Sequence, residues 1–132
     1  MSRGAYGVVA AAFLDVRRRP GHRQELTSQL LLGEVVRVVR SDAAGTWHLV
    51  EGVADGYRGW VRDGGLVRAG PVRARRWAAA AAARVRVPSV EVRARPGRGA
   101  LVSPLYLNSR VIAGPRRERW RHVELPDGRR GW

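Results

Sequence analysis

Asp-Gly-Tyr-Arg-Gly-Trp, residues 55–60, returns as Asp-Gly-Arg-Arg-Gly-Trp at 127–132, and the rest of the chain falls into place around the two copies. Working back from them, Asp15-Val16-Arg17-Arg18-Arg19-Pro20-Gly21 answers Glu91-Val92-Arg93-Ala94-Arg95-Pro96-Gly97. Leu30-Leu31-Leu32 answers Leu105-Tyr106-Leu107, and Trp47-His48-Leu49-Val50 answers Trp120-Arg121-His122-Val123. The offset shrinks by a few residues from the first block to the last, as loop-length differences between related modules produce.

Each copy reads as short strands. In the first, Gly7–Phe13, Leu26–Leu32, Val35–Arg40, Trp47–Glu51 and Tyr57–Val61 are rich in Val, Leu and aromatic residues, with Gly, Pro, Asp and Ser between them. Asp55-Gly56 and Asp127-Gly128 are tight-turn signals, because glycine supplies the positive φ that such turns demand. Five strands in so short a segment cannot build a large sandwich, and a small, strongly bent barrel buries them without long raw edges. The fold class expected is therefore all-β, two small barrels in tandem. The first covers residues 1–68, an Arg- and Ala-rich linker covers 69–84, and the second covers 85–132. Six consecutive alanines, Ala78 to Ala83, allow a helical turn or two in the linker, but so short a helix is marginal alone. After Trp60 the first copy continues through Val61 to Val67. The second stops at Trp132, so it is expected to lack its closing elements and to belong to a longer chain.

Composition narrows the chemistry. The chain has 132 residues and 45% hydrophobic content, enough for one ordinary domain or two small ones. Net charge is +14, and all 25 basic residues are arginine, which points to a partner carrying carboxylates or phosphates. A GC-rich coding bias accounts for part of that arginine. There is no cysteine, so a thiol nucleophile is excluded, and His22, His48 and His122 show no metal-ligand spacing. No cofactor is expected. The start, with one Arg ahead of a brief apolar run, superficially resembles a signal peptide, but the run passes directly into Asp15-Val16-Arg17 and occupies the place of a first strand. The chain is expected to be cytoplasmic. No stretch has the apolar length of a transmembrane helix, so no membrane partner is expected.

Together, "DVRRRPGHRQELTSQLLLGE" (15–34), the Trp47 strand, "DGYRGWV" (55–61), "VEVRARPG" (90–97) and "DGRRGW" resemble bacterial SH3 domains, small β-barrels found in tandem ahead of cell-wall hydrolases. The chain is most similar to the N-terminal pair of modules in NlpC-type cysteine peptidases, which cleave γ-D-glutamyl-diamino-acid bonds in murein peptides. The second copy keeps the Arg-x-x-Pro and Gly-Trp marks, loses the Gln-Glu-Leu stretch, and has Arg129 where Tyr57 would be. The resemblance implies two SH3-like barrels and a downstream catalytic domain with a Cys nucleophile activated by His. None of that machinery is in this chain. What remains is a non-catalytic region that binds or positions a murein stem peptide for the peptidase domain of its parent.

Two residues stand out on that comparison. Glu25 is a carboxylate in a basic stretch, either an ordinary surface partner of Arg23 or His22 or, as the resemblance implies, a holder of the substrate's free amino group. Tyr57 follows a turn and is either a cross-strand aromatic or the tyrosine that the family presents toward the peptidase cleft. Trp47, Trp60, Trp120 and Trp132 stand at repeated positions and are expected as core or groove wall. A second function class is a basic tandem module that binds nucleic acid, with Arg on phosphate and aromatics stacked on bases. Against it, the arginine clusters at 17–19, 73–76 and 116–119 have few aromatics among them. A proline-peptide adaptor is weakest, with one Phe, three Tyr and no acidic loop.

Overall fold

The structure, a computed structural model, describes residues 4–132; Met1, Ser2 and the Arg3 that precedes the apolar run lie outside the described residues. Strands β1 (Tyr6–Val9), β2 (Phe13–Arg17), β3 (Leu26–Leu31), β4 (Val35–Ser41), β5 (Trp47–Gly52) and β6 (Arg58–Arg62) are followed by a 3₁₀ turn (Asp63–Gly65) and β7 (Leu66–Ala69). Helix α1 (Pro71–Ala80) leads to β8 (Ala83–Arg84), β9 (Ser89–Arg95), β10 (Arg98–Tyr106), β11 (Arg110–Arg117), β12 (Trp120–Glu124) and β13 (Arg130–Gly131). The molecule is mostly β.

The apolar run expected as one strand, Gly7–Phe13, is divided between β1 and β2. The small residues Ala10 to Ala12 carry the crossing: the Ala10 N–H donates to the Gly65 carbonyl and the Leu32 N–H to the Ala12 carbonyl. β1 pairs with β4 and β7, while β2 pairs with β3 and β6. The two halves of the run therefore serve opposite parts of one sheet.

That sheet has seven strands in the order β3-β2-β6-β5-β4-β1-β7, antiparallel throughout. It is open, with β3 and β7 as edges, and so corrects the expectation of a barrel closed by hydrogen bonds. It curls nevertheless. β2 and β7 stand five places apart, which in a flat sheet would separate them by about 24 Å. Yet Leu14 of β2 and Leu66 of β7 share one core with Val9, Val16, Val36, Val50 and Val61. The β3 edge is polar at Thr27 and Gln29, and near its end the Leu31 N–H donates to the Glu34 carboxylate at 2.6 Å. An edge satisfied by a side chain has less need of a partner strand.

In the second half, β9 and β10 form a two-stranded sheet and β13-β12-β11-β8 a four-stranded one. Two backbone hydrogen bonds between Arg93 and Trp132, 2.8 and 2.9 Å, tie β9 to the end of β13. Read through that tie, the order β10-β9-β13-β12-β11-β8 is the order of the first sheet without β7. Arg93 and Trp132 stand where Arg17 and Trp60 pair in the first half. The glycine of each repeated hexapeptide explains the closeness: a Cβ on Gly59 would lie 2.1 Å from Val16 Cγ1, and one on Gly131 would lie 2.6 Å from Val92 Cγ1.

The stretch 69–84, expected as a linker, carries a ten-residue helix. Pro71 opens it at a position where a missing N–H costs nothing, and alanines favour its continuation. A helix this short is marginal alone, so packing must hold it. Ala74, Trp77 and Ala81 are buried on one face, and the Trp77 indole N–H donates to the Gly33 carbonyl at 2.9 Å. Trp77 and Ala81 form a small core with Val8 of β1, against which Val35 and Ile112 pack, so the helix joins both halves. Leu32 goes further. Although it follows β3, it is fully buried in the core of the second half with Val92, Leu105, Val111 and Leu125. Its carbonyl accepts the Arg110 N–H at 2.9 Å.

Candidate functional site

Glu25 and Tyr57 are brought to neighbouring parts of the β2-β3-β6 edge by two different turns. On one side, Gly21 (φ +140°) bends the connection between β2 and β3, and the Arg18 N–H donates to the Glu25 carbonyl at 2.9 Å. Glu25 therefore sits at the foot of β3. On the other side, Gly56 (φ +73°) closes the β5–β6 hairpin, with Asp55 Oδ1 accepting the Tyr57 N–H at 3.0 Å and the Gly52 N–H donating to the Tyr57 carbonyl at 2.9 Å. The second hexapeptide repeats this chemistry: Gly128 has φ +90° and Asp127 Oδ1 accepts the Arg129 N–H at 3.1 Å.

The Tyr57 ring crosses toward β3, and its hydroxyl donates to the Thr27 carbonyl at 3.4 Å, two residues from Glu25. Tyr57 is 46% exposed, and the Glu25 side chain 63%. Glu25 makes an ion pair with Arg18 at 3.3 Å, between exposed groups, rather than with Arg23 or His22. Such a pair contributes about 0–1 kcal/mol, so the carboxylate is easily recruited by another cation. His22 instead accepts at Nε2 from the Arg62 guanidinium and sets its ring edge-on to Trp47, 5.2 Å between centroids.

The carboxylates around this edge are more firmly held. Asp15 accepts from Gln29 at 2.8 Å and pairs with Arg17 at 3.2 Å. Glu51 accepts from Arg58 at 2.7 Å and lies 3.5 Å from Arg37; chiefly the Arg58 hydrogen bond holds its carboxyl below the usual carboxylate range.

The tryptophans divide. Trp47 is buried, whereas Trp60, Trp120 and Trp132 are half-buried, with Arg40 over the Trp60 ring and Arg117 over the Trp132 ring; Trp120 and Trp132 line a cavity. Trp77, outside the repeated positions, is buried. Sequence reading also missed a polar array. His48, 1% exposed, has Nδ1 2.6 Å from Ser41 Oγ and Nε2 2.7 Å from Asp63 Oδ1. It rivets the end of β4 and the 3₁₀ turn to β5. The Ser41–His48 contact is a cross-strand pair and was open to strand-register reasoning; Asp63 comes from a turn whose approach only the folded chain fixes.

The site thus places an exposed tyrosine and a weakly paired carboxylate on neighbouring parts of one edge of a curled small sheet. Residues 16–66 match the family model described as the bacterial dipeptidyl-peptidase Sh3 domain. No curated protein sequence matches the chain. Among solved structures, the chain is similar to an NlpC/P60 family protein from Bacillus cereus, with a TM-score of 0.75 and 17% identity over 97% of this chain and 53% of that one. It is also similar to an NlpC/P60 endopeptidase from Photobacterium damselae subsp. piscicida, with a TM-score of 0.65 and 14% identity over 92% of this chain and 29% of that one. The chain thus spans about half of the first protein and under a third of the second. The resemblance to bacterial SH3 domains of NlpC-type proteins is borne out, by the family model over the first half and by fold over nearly the whole chain.

Proposed function

We propose that this chain is a non-catalytic pair of SH3-like modules that binds and positions a murein stem peptide for an NlpC-type cysteine peptidase domain of the same parent chain. The observation that carries the reading is the meeting of Tyr57 with the β3 backbone two residues from Glu25, both side chains exposed. The α-amino group of a peptide has a pKa of roughly 7.7–8.0 and is mostly protonated at neutral pH. In a chain of net charge +14 it needs a specific anionic acceptor, and Glu25 offers one at the cost of a weak surface pair. Tyr57 supplies a ring to shield the contact and a hydroxyl that can turn from the Thr27 carbonyl to the ligand. The shared strand order of the two halves supports reading them as copies of one module. The burial of Val8 and Val9 in β1 supports reading the apolar start as part of the fold.

The test is made in the full-length parent enzyme. A charged hydrogen bond is worth about 1.5–3 kcal/mol, so Glu25→Ala lowers kcat/KM on a free-amine peptide by roughly ten- to a hundredfold. Tyr57→Phe lowers it less. Acetylating the substrate amine removes most of the difference between wild type and Glu25→Ala. Unchanged turnover in folded Glu25→Ala overturns the assignment.

A further inference from the structure

We propose a second ligand site at the tip of the β9–β10 and β11–β12 hairpins, where Arg95, Arg98, Arg117, Trp120 and Trp132 would take a phosphorylated ring compound of nucleotide or sugar-phosphate type. A cavity of about 560 Å³ opens there, within the range that binds small ligands. Three arginines line it. Arg95 and Arg98 face each other as a cross-strand pair, an arrangement of like charges that weakens a hairpin. Among the described residues, no ion pair includes Arg95, Arg98 or Arg117, whereas Arg17, Arg18, Arg58, Arg93, Arg129 and Arg130 each have a carboxylate partner. Glu118 also lines the cavity, and three guanidinium groups less this one carboxylate leave a charge that matches a doubly charged phosphate.

The indoles are seated rather than adventitious. A Cβ on Gly97 would lie 2.7 Å from Trp120 Cζ2, so the turn between β9 and β10 is glycine both for its φ of +72° and for the room the ring takes. Arg117 lies over the Trp132 ring at 5.6 Å, and His122 meets its edge at 5.1 Å. Glu118, between β11 and β12, holds φ at +54°, a left-handed conformation uncommon for a side-chain-bearing residue. Strain of this kind collects at ligand clamps. The corresponding tip of the first half differs in the feature that matters: it carries Glu25, and its Arg18 is neutralised. The β9–β10 hairpin thus carries the cross-strand Arg95–Arg98 pair and no counterpart of Glu25. Aromatic surface is confined to two indoles, so the site suits one ring rather than an extended strand of nucleotides.

Tryptophan fluorescence and calorimetric titration of the 132-residue chain test the proposal with uridine diphosphate, glucose 6-phosphate, inorganic pyrophosphate, uridine, glucose and an oligothymidylate. At least one of the two phosphorylated ring compounds binds at least tenfold tighter than pyrophosphate and than its own unphosphorylated ring. Which of the two it is distinguishes a nucleotide from a sugar phosphate. Arg98→Ala raises its Kd about tenfold, the loss of one charge-assisted contact, and Trp120→Leu removes the preference over pyrophosphate. Arg129→Ala, outside the cavity, leaves binding unchanged. Arg98 is exposed and faces the like-charged Arg95, so its variant melts no lower than the wild type. Absence of binding at millimolar concentration, equal affinity for pyrophosphate, or indifference to Arg98→Ala overturns the site. Tighter, steeply salt-dependent binding of the oligothymidylate also overturns it, in favour of a nucleic-acid track.

Discussion

Leu32→Ala tests whether the two halves are one cooperative body. Leu32 belongs to the first half by sequence but is fully buried among Val92, Leu105, Val111 and Leu125 of the second. Truncating a buried leucine removes its transfer free energy and leaves a cavity, at a total cost of about 2.7–5.0 kcal/mol depending on how far the surroundings collapse. Collapse is obstructed here. The next residue, Gly33, is pressed so close to Arg110 that a Cβ would lie 2.2 Å from the Arg110 carbonyl oxygen, and the Trp77 indole holds the Gly33 carbonyl. The backbone cannot follow the missing side chain inward, so the upper part of the range applies, about 3–5 kcal/mol. With a urea dependence of about 1–3 kcal/mol per molar, the unfolding midpoint falls by roughly 1–5 M. Urea unfolding followed by fluorescence and by amide hydrogen exchange reads the outcome. One transition is expected in both proteins, and protection falls at the amides of Val92, Leu105 and Leu125 as well as in the first sheet. Two separate transitions, with only the first-half amides affected, would refute the argument, as would a loss below about 1 kcal/mol.

Other outcomes follow from single contacts. Gly59→Ala drives a Cβ to 2.1 Å from Val16 Cγ1 in the core and is expected to lower stability by about 1–3 kcal/mol, measured by thermal unfolding. Gly56→Ala meets no atom and carries only the strain of φ +73°, so it should cost about 1–2 kcal/mol and keep the hairpin. Glu51 has its pKa lowered by Arg58 and Arg37, so the stability it confers is complete above the usual 4.5 and is lost as pH falls through the lower folded value. Glu51→Gln should therefore lower the melting temperature slightly at pH 7 and leave it unchanged near pH 2. An equal difference at both pH values would show that the carboxylate's charge plays no part.

Local chemistry was enough to read the turns and most of the strands. Asp55-Gly56 and Asp127-Gly128 make the turns expected because an Asp side chain and a positive-φ glycine act within two or three residues of themselves. Strands β3 to β6 fall within a residue or so of their expected bounds for the same reason: alternation and turn residues are short-range signals. The recurrence of the hexapeptide likewise announced where β6 and β13 would lie. Whose core a side chain enters is a different matter. Leu30, Leu31 and Leu32 look alike in sequence, and only the packing of both halves sends Leu32 into the second core. The run Gly7–Phe13 is continuous in hydrophobicity but broken in space, because β1 and β2 answer to different partners. Helix α1 is too short to persist on propensity, and the burial of Trp77 that holds it depends on a carbonyl forty-four residues away. Glu25 and Tyr57 could be singled out by type and position, but their nearness, and the choice of Arg18 as the ion-pair partner, arise from the pairing of β2 with both β3 and β6. Short-range rules choose the elements; burial, which depends on every element at once, decides which faces meet.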